Sequence, residues 1–552
     1  MNLYRHLAAL LGTVLLPAVV VGFAAGATAS KEFSTEQIDT VLPPTGSAAV
    51  PGCAVGVRAG NNSPVLRAFG MADLEHATPV TVETVFEAGS VSKQFTAAAA
   101  LILVSEGRLA LEDDIRKYLP ELPDYGHPIT IAELMGHTSG LRDWGEVEAI
   151  AGWPRTERVY SMEDVLSITA HQRALNFAPG AAWSYTNTGF DLLALIVERS
   201  SGMSFVDFTR QRLFEPLGMI HTQWRDNFRR IVRNRAIAYN RVRDGRVGEG
   251  VYEQMMPFEN TYAHGGLLTS VGDLLAWNEA LDEERLGPSV TRALETRTLL
   301  SDGKPTVYAR GLFVRHYHGV RELSHDGSTA GYRAWLGRFP DEHLSIAVLC
   351  NASDANPSKL AHAAADVFLP KPHDKTPYAI TPSSDLAGLY ASERDGRPLY
   401  LKFHEGHLDT DTGLKVMMGS HGTFAFIRPD GVVAESGVSL SDGRLRFDSE
   451  GDVTLYDRAQ PFFPTSADLE RVTGRFRNDE VPVTYRVTAV PGGLRVTAED
   501  RPSVIRKFTP AYANAYIADD VVIRPVQGTD GRISGIRVSD PRVWNLEMYR
   551  LP

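Results

Sequence analysis

The chain has 552 residues, 43% of them hydrophobic, 9% aromatic and 22% charged, and a formal net charge of −11. That length suggests roughly three or four domains, and the ordinary globular composition excludes long disorder, collagen and coiled coil as descriptions of the whole. An acidic chain without a block of Lys and Arg lacks the electrostatic footprint of a nucleic-acid binder, so nucleic acid is not an expected partner.

The first thirty residues read as an export signal. Arg5 and His6 sit in a short polar start, Leu7 to Phe23 is almost wholly apolar, and Ala27-Thr28-Ala29 gives a small-x-small cleavage pattern before Ser30. A membrane anchor is the competing reading, for which the apolar run is short. No Cys near the cleavage point points to a lipoprotein, and no other apolar run reaches spanning length. The expectation is a signal peptide at 1–29 and a soluble mature chain, periplasmic or secreted, with no stable membrane insertion after signal removal.

Strand-type text follows at Cys53 to Val57 and Val65 to Gly70, then a helix-rich middle that includes Gln94 to Glu106, Phe190 to Ser200 and Val271 to Leu281. Strands return at Leu312 to Val314, Gly331 to Phe339 and Leu344 to Asn351. Strands, helices, then strands of one sheet predict an α/β sandwich with a largely antiparallel sheet over residues 30–374. Cys53 and Cys350 are the two cysteines, too few for a disulfide-built scaffold or a cysteine metal site. Both lie in strand-type segments, and two buried free thiols or one disulfide are equally open.

After Lys371-Pro372 the texture changes to short alternating strands broken by Asp-Gly and Gly-Gly turns, among them Asp395-Gly396, Asp430-Gly431, Asp442-Gly443, Gly492-Gly493 and Asp530-Gly531. Such closely spaced hairpin signals predict antiparallel barrels or sandwiches. The region also looks duplicated. Gly388-Leu389-Tyr390 leads through Leu399 to Phe403 to Gly406-His407-Leu408, and Gly474-Arg475-Phe476 leads through Val483 to Val487 to Gly493-Leu494. Two tandem β-barrels, 375–463 and 464–552, fit better than one.

The chemistry starts at Glu87-Ala88-Gly89-Ser90-Val91-Ser92-Lys93. At the first turn of a helix Ser90 and Lys93 share one face. The helix N-terminus offers N–H groups to a developing oxyanion, and a desolvated lysine there can lose its proton and activate the hydroxyl. Alone the motif is weak, since a capped helix explains it equally. Downstream stands Trp183-Ser184-Tyr185-Thr186-Asn187, with a phenol able to relay a proton and an amide able to hold a substrate carbonyl. Ser324-His325-Asp326-Gly327-Ser328 comes next, read as lying just before a strand that begins at Gly331, with Gly327 letting a substrate backbone approach the strand edge.

With these three motifs the sequence resembles the penicillin-recognising serine hydrolases, the family of class C β-lactamases, D-aminopeptidase and related esterases, marked by Ser-x-x-Lys, Tyr-x-Asn and a Lys- or His-x-Gly strand motif. Leu134 to Leu141, Gly265 to Ser270 and Tyr308 to Leu312 look similar as well, in the family's order. The resemblance implies a β-lactamase-like fold with Ser90 as acylated nucleophile, Lys93 as its base, and Tyr185 sharing the proton work. It implies that Asn187 positions substrate and Lys93, that His325, Gly327 and Ser328 form the substrate-binding strand, and that the N–H groups of Ser90 and Ser328 make the oxyanion hole. The third motif departs from the β-lactamase pattern, with His325 where those enzymes usually carry lysine. A lysine is a permanent cation suited to a carboxylate, whereas histidine near pH 7 is mostly neutral, which argues against penicillinase and DD-carboxypeptidase readings. His-x-Gly followed by two barrels looks most like D-aminopeptidase, and the exported peptidase that cleaves linearised microcystin is similar in class.

Other chemistries lack support, since no Gly-x-Ser-x-Gly elbow, His-Glu-x-x-His helix or phosphate-binding Gly-x-x-x-x-Gly-Lys loop occurs. His137 in its Gly/Ser/Thr turn reads as structural. Asp409, Asp411 and Asp442 read as solvated turn residues and not as metal ligands. Trp183 and Trp335 suit either a cleft or the core. The expectation is an exported serine hydrolase working through an acyl-enzyme on peptide amides with D or non-standard residues, needing neither cofactor nor metal and taking a small peptide or ester as partner. A carboxylesterase with slow β-lactam hydrolysis and a penicillin-binding protein that acylates without turnover are the alternatives.

Overall fold

Strands that are apolar along their whole length, with no alternation, are strands covered on both faces. Leu344–Cys350 is such a strand: all seven of its residues are buried in the computed structural model. The structure describes residues 35–43, 49–242, 251–370, 384–404, 407–410, 413–419, 423–427, 433–440, 442–449 and 452–552. The export-signal reading of 1–29, the domain change at Lys371-Pro372, and Gly406, Asp411 and the Asp430-Gly431 turn lie outside them. No helix among the described residues is long and apolar enough to cross a membrane.

The main sheet has six strands, all antiparallel, in the order Phe313–Tyr317, Val320–Thr329, Tyr332–Phe339, Leu344–Cys350, Cys53–Ala59, Val65–Phe69. Chain segments nearly 300 residues apart therefore pair at its centre, and Cys53 lies directly opposite Cys350. The two form a disulfide, with Cα atoms 4.1 Å apart, which settles the cysteine question left open by the sequence. Helices fill the middle of the chain. Ser92–Ser105 is buried on every side over its first twelve residues, so the all-round small and apolar run through Ala97 to Leu103 becomes the central helix of the core. Thr188–Ser201 packs beside it. Val271–Asp282 covers the sheet centre, close enough that Leu275 would meet any Cβ on Gly56 at 2.8 Å.

The two β-barrels are present and closed. Each has eight antiparallel strands, the first running from Gly388–Ser392 to Asp452–Ala459 and the second from Gly474–Asn478 to Val543–Arg550. Their interiors are filled by side chains, Tyr390, Phe424 and Phe447 in the first and Phe476, Ile536 and Leu546 in the second. The second barrel is docked on the α/β domain. Val147 and Ile150 of the Trp144–Ile150 helix belong to the barrel's own apolar cluster, and Tyr485 OH donates to Ile150 O at 2.5 Å. Arg142 pairs with Glu480 at 2.7 Å, both largely buried.

Two sequence expectations are corrected, and one left open is decided. The His325 motif lies inside the Val320–Thr329 strand and not before one; Asp326-Gly327 reads locally as a turn, but the segment is held extended by pairing from Leu323↔Arg338 to Thr329↔Tyr332. Asp409 is no turn residue; it sits in the His407–Thr410 strand opposite Lys402 and Lys415. Trp335 is core, 2% exposed and packed near His362. Asp442 does occupy an exposed turn, where it caps Arg444 N.

Candidate active site

Ser90 sits in a single 3-10 turn, Gly89–Val91, that feeds the Ser92–Ser105 helix, with Lys93 in that helix's first turn. Two glycines bring this turn against the Val320–Thr329 strand. Gly89 adopts φ +52°, a conformation that suits glycine, and a Cβ there would meet Ser328 N at 2.6 Å. A Cβ on Gly327 would lie 1.9 Å from Ala88 O. Gly327 thus serves backbone-to-backbone packing within the protein, a different reason from the substrate approach expected from sequence. The rungs to Phe313–Tyr317 stop at Phe313↔Ser324, so His325 to Thr329 pair on one side only and turn their other edge to Ser90. Ser90 and Ser328 thereby come to line the same cleft.

Lys93 is fully buried beneath Ser90. Its Nζ lies 3.1 Å from Ser90 Oγ, 2.9 Å from Asn187 Oδ1 and 2.8 Å from His264 O. Burial holds the amine well below its ordinary range, and the positive charges of Arg542 and Arg155 push the same way against Asp191 and Asp143. A neutral amine has two protons. Given to the two acceptors that cannot donate, the Asn187 and His264 oxygens, they leave the nitrogen lone pair facing the Ser90 hydroxyl. Asn187 stands at the start of the Thr188–Ser201 helix, its own N–H bound to Asp143 Oδ2 at 2.7 Å.

Tyr185 leans over Lys93, whose Nζ is 4.8 Å from the ring centre. Burial raises its phenol, partly offset by a hydrogen bond with Ser90, so the group stays protonated. His137 is structural: it ends a helix in the left-handed conformation, accepts Thr186 N–H on Nδ1 and packs 4.3 Å from the Tyr185 ring. His325 is pulled down to about 3, chiefly by burial. Its Nδ1 lies 2.6 Å from Asp326 O and its Nε2 3.0 Å from Tyr308 OH. A carbonyl accepts only, so Nδ1 carries the proton and Nε2 receives the phenol's, leaving a neutral ring with both nitrogens engaged.

Ser90, Tyr185, Asn187, His325, Gly327 and Ser328 line one cleft of about 780 Å³, and Trp183 lines it with them. The cleft also contains residues that no motif announced. Arg155 donates from Nε to Glu259 Oε2 at 2.8 Å, and from Nη2 to Glu259 Oε1 and to His264 Nε2. Because arginine only donates, His264 carries its proton on Nδ1, 2.6 Å from Asp191 Oδ1. Arg542 reaches the cleft from the turn between the last two strands of the second barrel, 5.1 Å from the Tyr185 ring centre. Nothing local in Asp540-Pro541-Arg542 signals this role, since its neighbours Asp143 and Tyr185 stand some 350 to 400 residues earlier in the chain.

A model of the Beta-lactamase family matches residues 36–369, more than half of the chain. The chain belongs to the Beta-lactamase family. It is a penicillin-recognising serine hydrolase, and its match ends where the first barrel has yet to begin. This family member is 28% identical over 450 residues to a D-aminopeptidase of Cereibacter sphaeroides, an alignment covering 80% of this chain and 82% of that protein. It is 29% identical over 320 residues to penicillin-binding protein 4* of Bacillus subtilis, covering 55% and 70%. The octameric penicillin-binding protein homologue from Pyrococcus abyssi superposes with a TM-score of 0.53 at 23% identity, over 76% of this chain and 98% of that one, a likeness of fold.

Proposed function

We propose that this Beta-lactamase-family hydrolase is exported and cleaves amide bonds of small peptides carrying D or non-standard residues, through an acyl-enzyme on Ser90. The observation that carries the reading is the Lys93 amine, buried, held by Asn187 Oδ1 and His264 O, and facing Ser90 Oγ at 3.1 Å. Ser90 Oγ bonds to the substrate carbonyl carbon while its proton passes to Lys93 Nζ. The Ser90 and Ser328 N–H groups receive the oxyanion. As the C–N bond breaks, the leaving nitrogen takes a proton through the Lys93–Tyr185 pair, and water later returns a proton by the same route as it releases the acid.

The substrate class is supported by the D-aminopeptidase relative, whose alignment is long enough to reach beyond the α/β domain. Export is supported by the N-terminal apolar segment and by the Cys53–Cys350 disulfide, a bond that persists in oxidising compartments. The test is mass spectrometry of a peptide panel with L or D residues at each terminus, including linearised cyclic peptides, incubated with wild type and Ser90→Ala. Cleavage beside D or unusual residues that vanishes in the folded variant is expected. Full activity of folded Ser90→Ala would refute the mechanism, and a preference for all-L peptides would refute the substrate class.

A further inference from the structure

Among the described residues, one positive charge lining the catalytic cleft has no hydrogen-bonding partner. Of the cleft's three arginines, Arg155 is committed to Glu259 and His264, and Arg333 Nη1 to the carbonyls of Ala330 and Tyr332. Arg542 differs. Its guanidinium makes no hydrogen bond among the described residues; its one ion pair, with Asp143 Oδ2, is at 3.6 Å, and its side chain is 34% exposed. Asp143 is in turn occupied by the N–H groups of Gly145 and Asn187.

The turn that carries Arg542 is fixed. Asp540 Oδ1 accepts the N–H groups of Arg542 and Val543, both at 2.8 Å. Asn176 of the α/β domain clamps it from the other side, donating to Arg542 O at 2.9 Å and accepting Trp544 N–H at 2.8 Å. Phe177 packs against the Trp544 ring. The guanidinium is therefore presented to the cleft by a rigid turn, 5.1 Å from the Tyr185 ring centre. Across the cleft His325 is neutral and has both nitrogens engaged, so no cation stands on that strand position.

We infer that Arg542 of the second barrel forms a carboxylate-binding subsite, and that this hydrolase selects substrates bearing an acidic group beside the scissile amide. Planar guanidinium and carboxylate match as a two-bond pair, and an ammonium group brought there meets repulsion instead. The carboxylate comes either from an acidic side chain on the acyl residue or from the free C-terminus of the leaving part. The inference rests on the D-peptide reading above for its substrates, and on the geometry of the cleft for its charge.

Two matched pairs separate the sources: D-Glu against D-Gln p-nitroanilide, and D-Ala-D-Ala against its C-terminal amide, each with wild type, R542Q and R542K. Wild type is expected to favour the acid of one pair by on the order of ten- to a hundredfold in kcat/KM, mostly through KM. R542Q collapses that ratio toward one and R542K restores part of it. Equal rates within both pairs, or a preference that survives in R542Q, would overturn the inference. Calorimetric binding of 3-carboxyphenylboronic acid against its carboxamide reads the same charge preference without turnover. If no peptide is cut while the boronate ratio falls in R542Q, the D-peptide reading fails and the subsite stands; an unchanged boronate ratio sinks the subsite alone.

Discussion

Gly327→Ala places a methyl group where the structure has no room. The new Cβ would lie 1.9 Å from Ala88 O, whereas ordinary contact begins near 3.4 Å, so the strand must retreat from the Ser90 turn by roughly 1.5 Å. Both partners are backbone, so no side-chain rotation relieves the clash. The retreat carries Ser328 N–H with it, and a displaced oxyanion donor costs about 10²- to 10³-fold in turnover, about 3–4 kcal/mol of transition-state stabilisation. Overpacking of this kind lowers stability by about 1–3 kcal/mol. Steady-state kinetics on a D-aminoacyl p-nitroanilide beside thermal melts reads both quantities. The decisive pattern is a large fall in kcat with a folded protein and a small fall in Tm. Wild-type kcat in folded Gly327→Ala would refute the account of how the strand meets the Ser90 turn.

Lys93→Met removes the amine proposed as base, and acylation measured in single-turnover mixing is expected to slow by about 10²- to 10⁴-fold; acylation at the wild-type rate would exclude the amine as base. Replacing Cys53 and Cys350 together by Ala opens a loop spanning a separation of 297 residues, and the melting curve is expected to shift by an amount equivalent to up to about 5 kcal/mol; an unmoved Tm would show the bond to be energetically idle. Asp540 is pushed up to about 7, first by burial and then by the negative charge of Glu146, which is itself raised. A carboxyl raised in the folded state is stabilising in its protonated form, so its contribution is complete at pH below about 4 and is lost as pH rises through about 7. Glu146→Gln relieves the repulsion and is expected to make the protein more stable than wild type by on the order of 1 kcal/mol at pH 8, with the two melting temperatures converging toward pH 4; parallel curves would remove this pair from the pH response.

Much of the fold was legible because its signals are local. Near-continuous apolar strands at Cys53 and Leu344 announce a sheet covered on both faces, and the hairpin turns after residue 384 announce antiparallel barrels. The longest sheet strand was missed at its functional end: Ser324 to Ser328 carries Asp-Gly, a turn signal, and only pairing with Tyr332–Phe339 keeps it extended. Trp183 and Trp335 look alike in sequence, and their separation into cleft and core comes from packing.

What the sequence determined by itself is the set of candidate reacting groups. Ser90 and Lys93, Tyr185 and Asn187, and His325 and Gly327 sit at fixed short spacings, because one helical turn, one loop and one strand each hold a pair. Tertiary structure decided the state of those groups and the company they keep. Burial by elements remote in sequence pushes the Lys93 amine well below its ordinary range, and burial likewise pulls His325 down and keeps it neutral. Arg542 enters the cleft because the Trp144–Ile150 helix sinks Val147 and Ile150 into the second barrel and Asn176 clamps its last turn. Spacing is written along the chain, whereas dielectric environment and charge placement depend on which distant segments come to rest against one another.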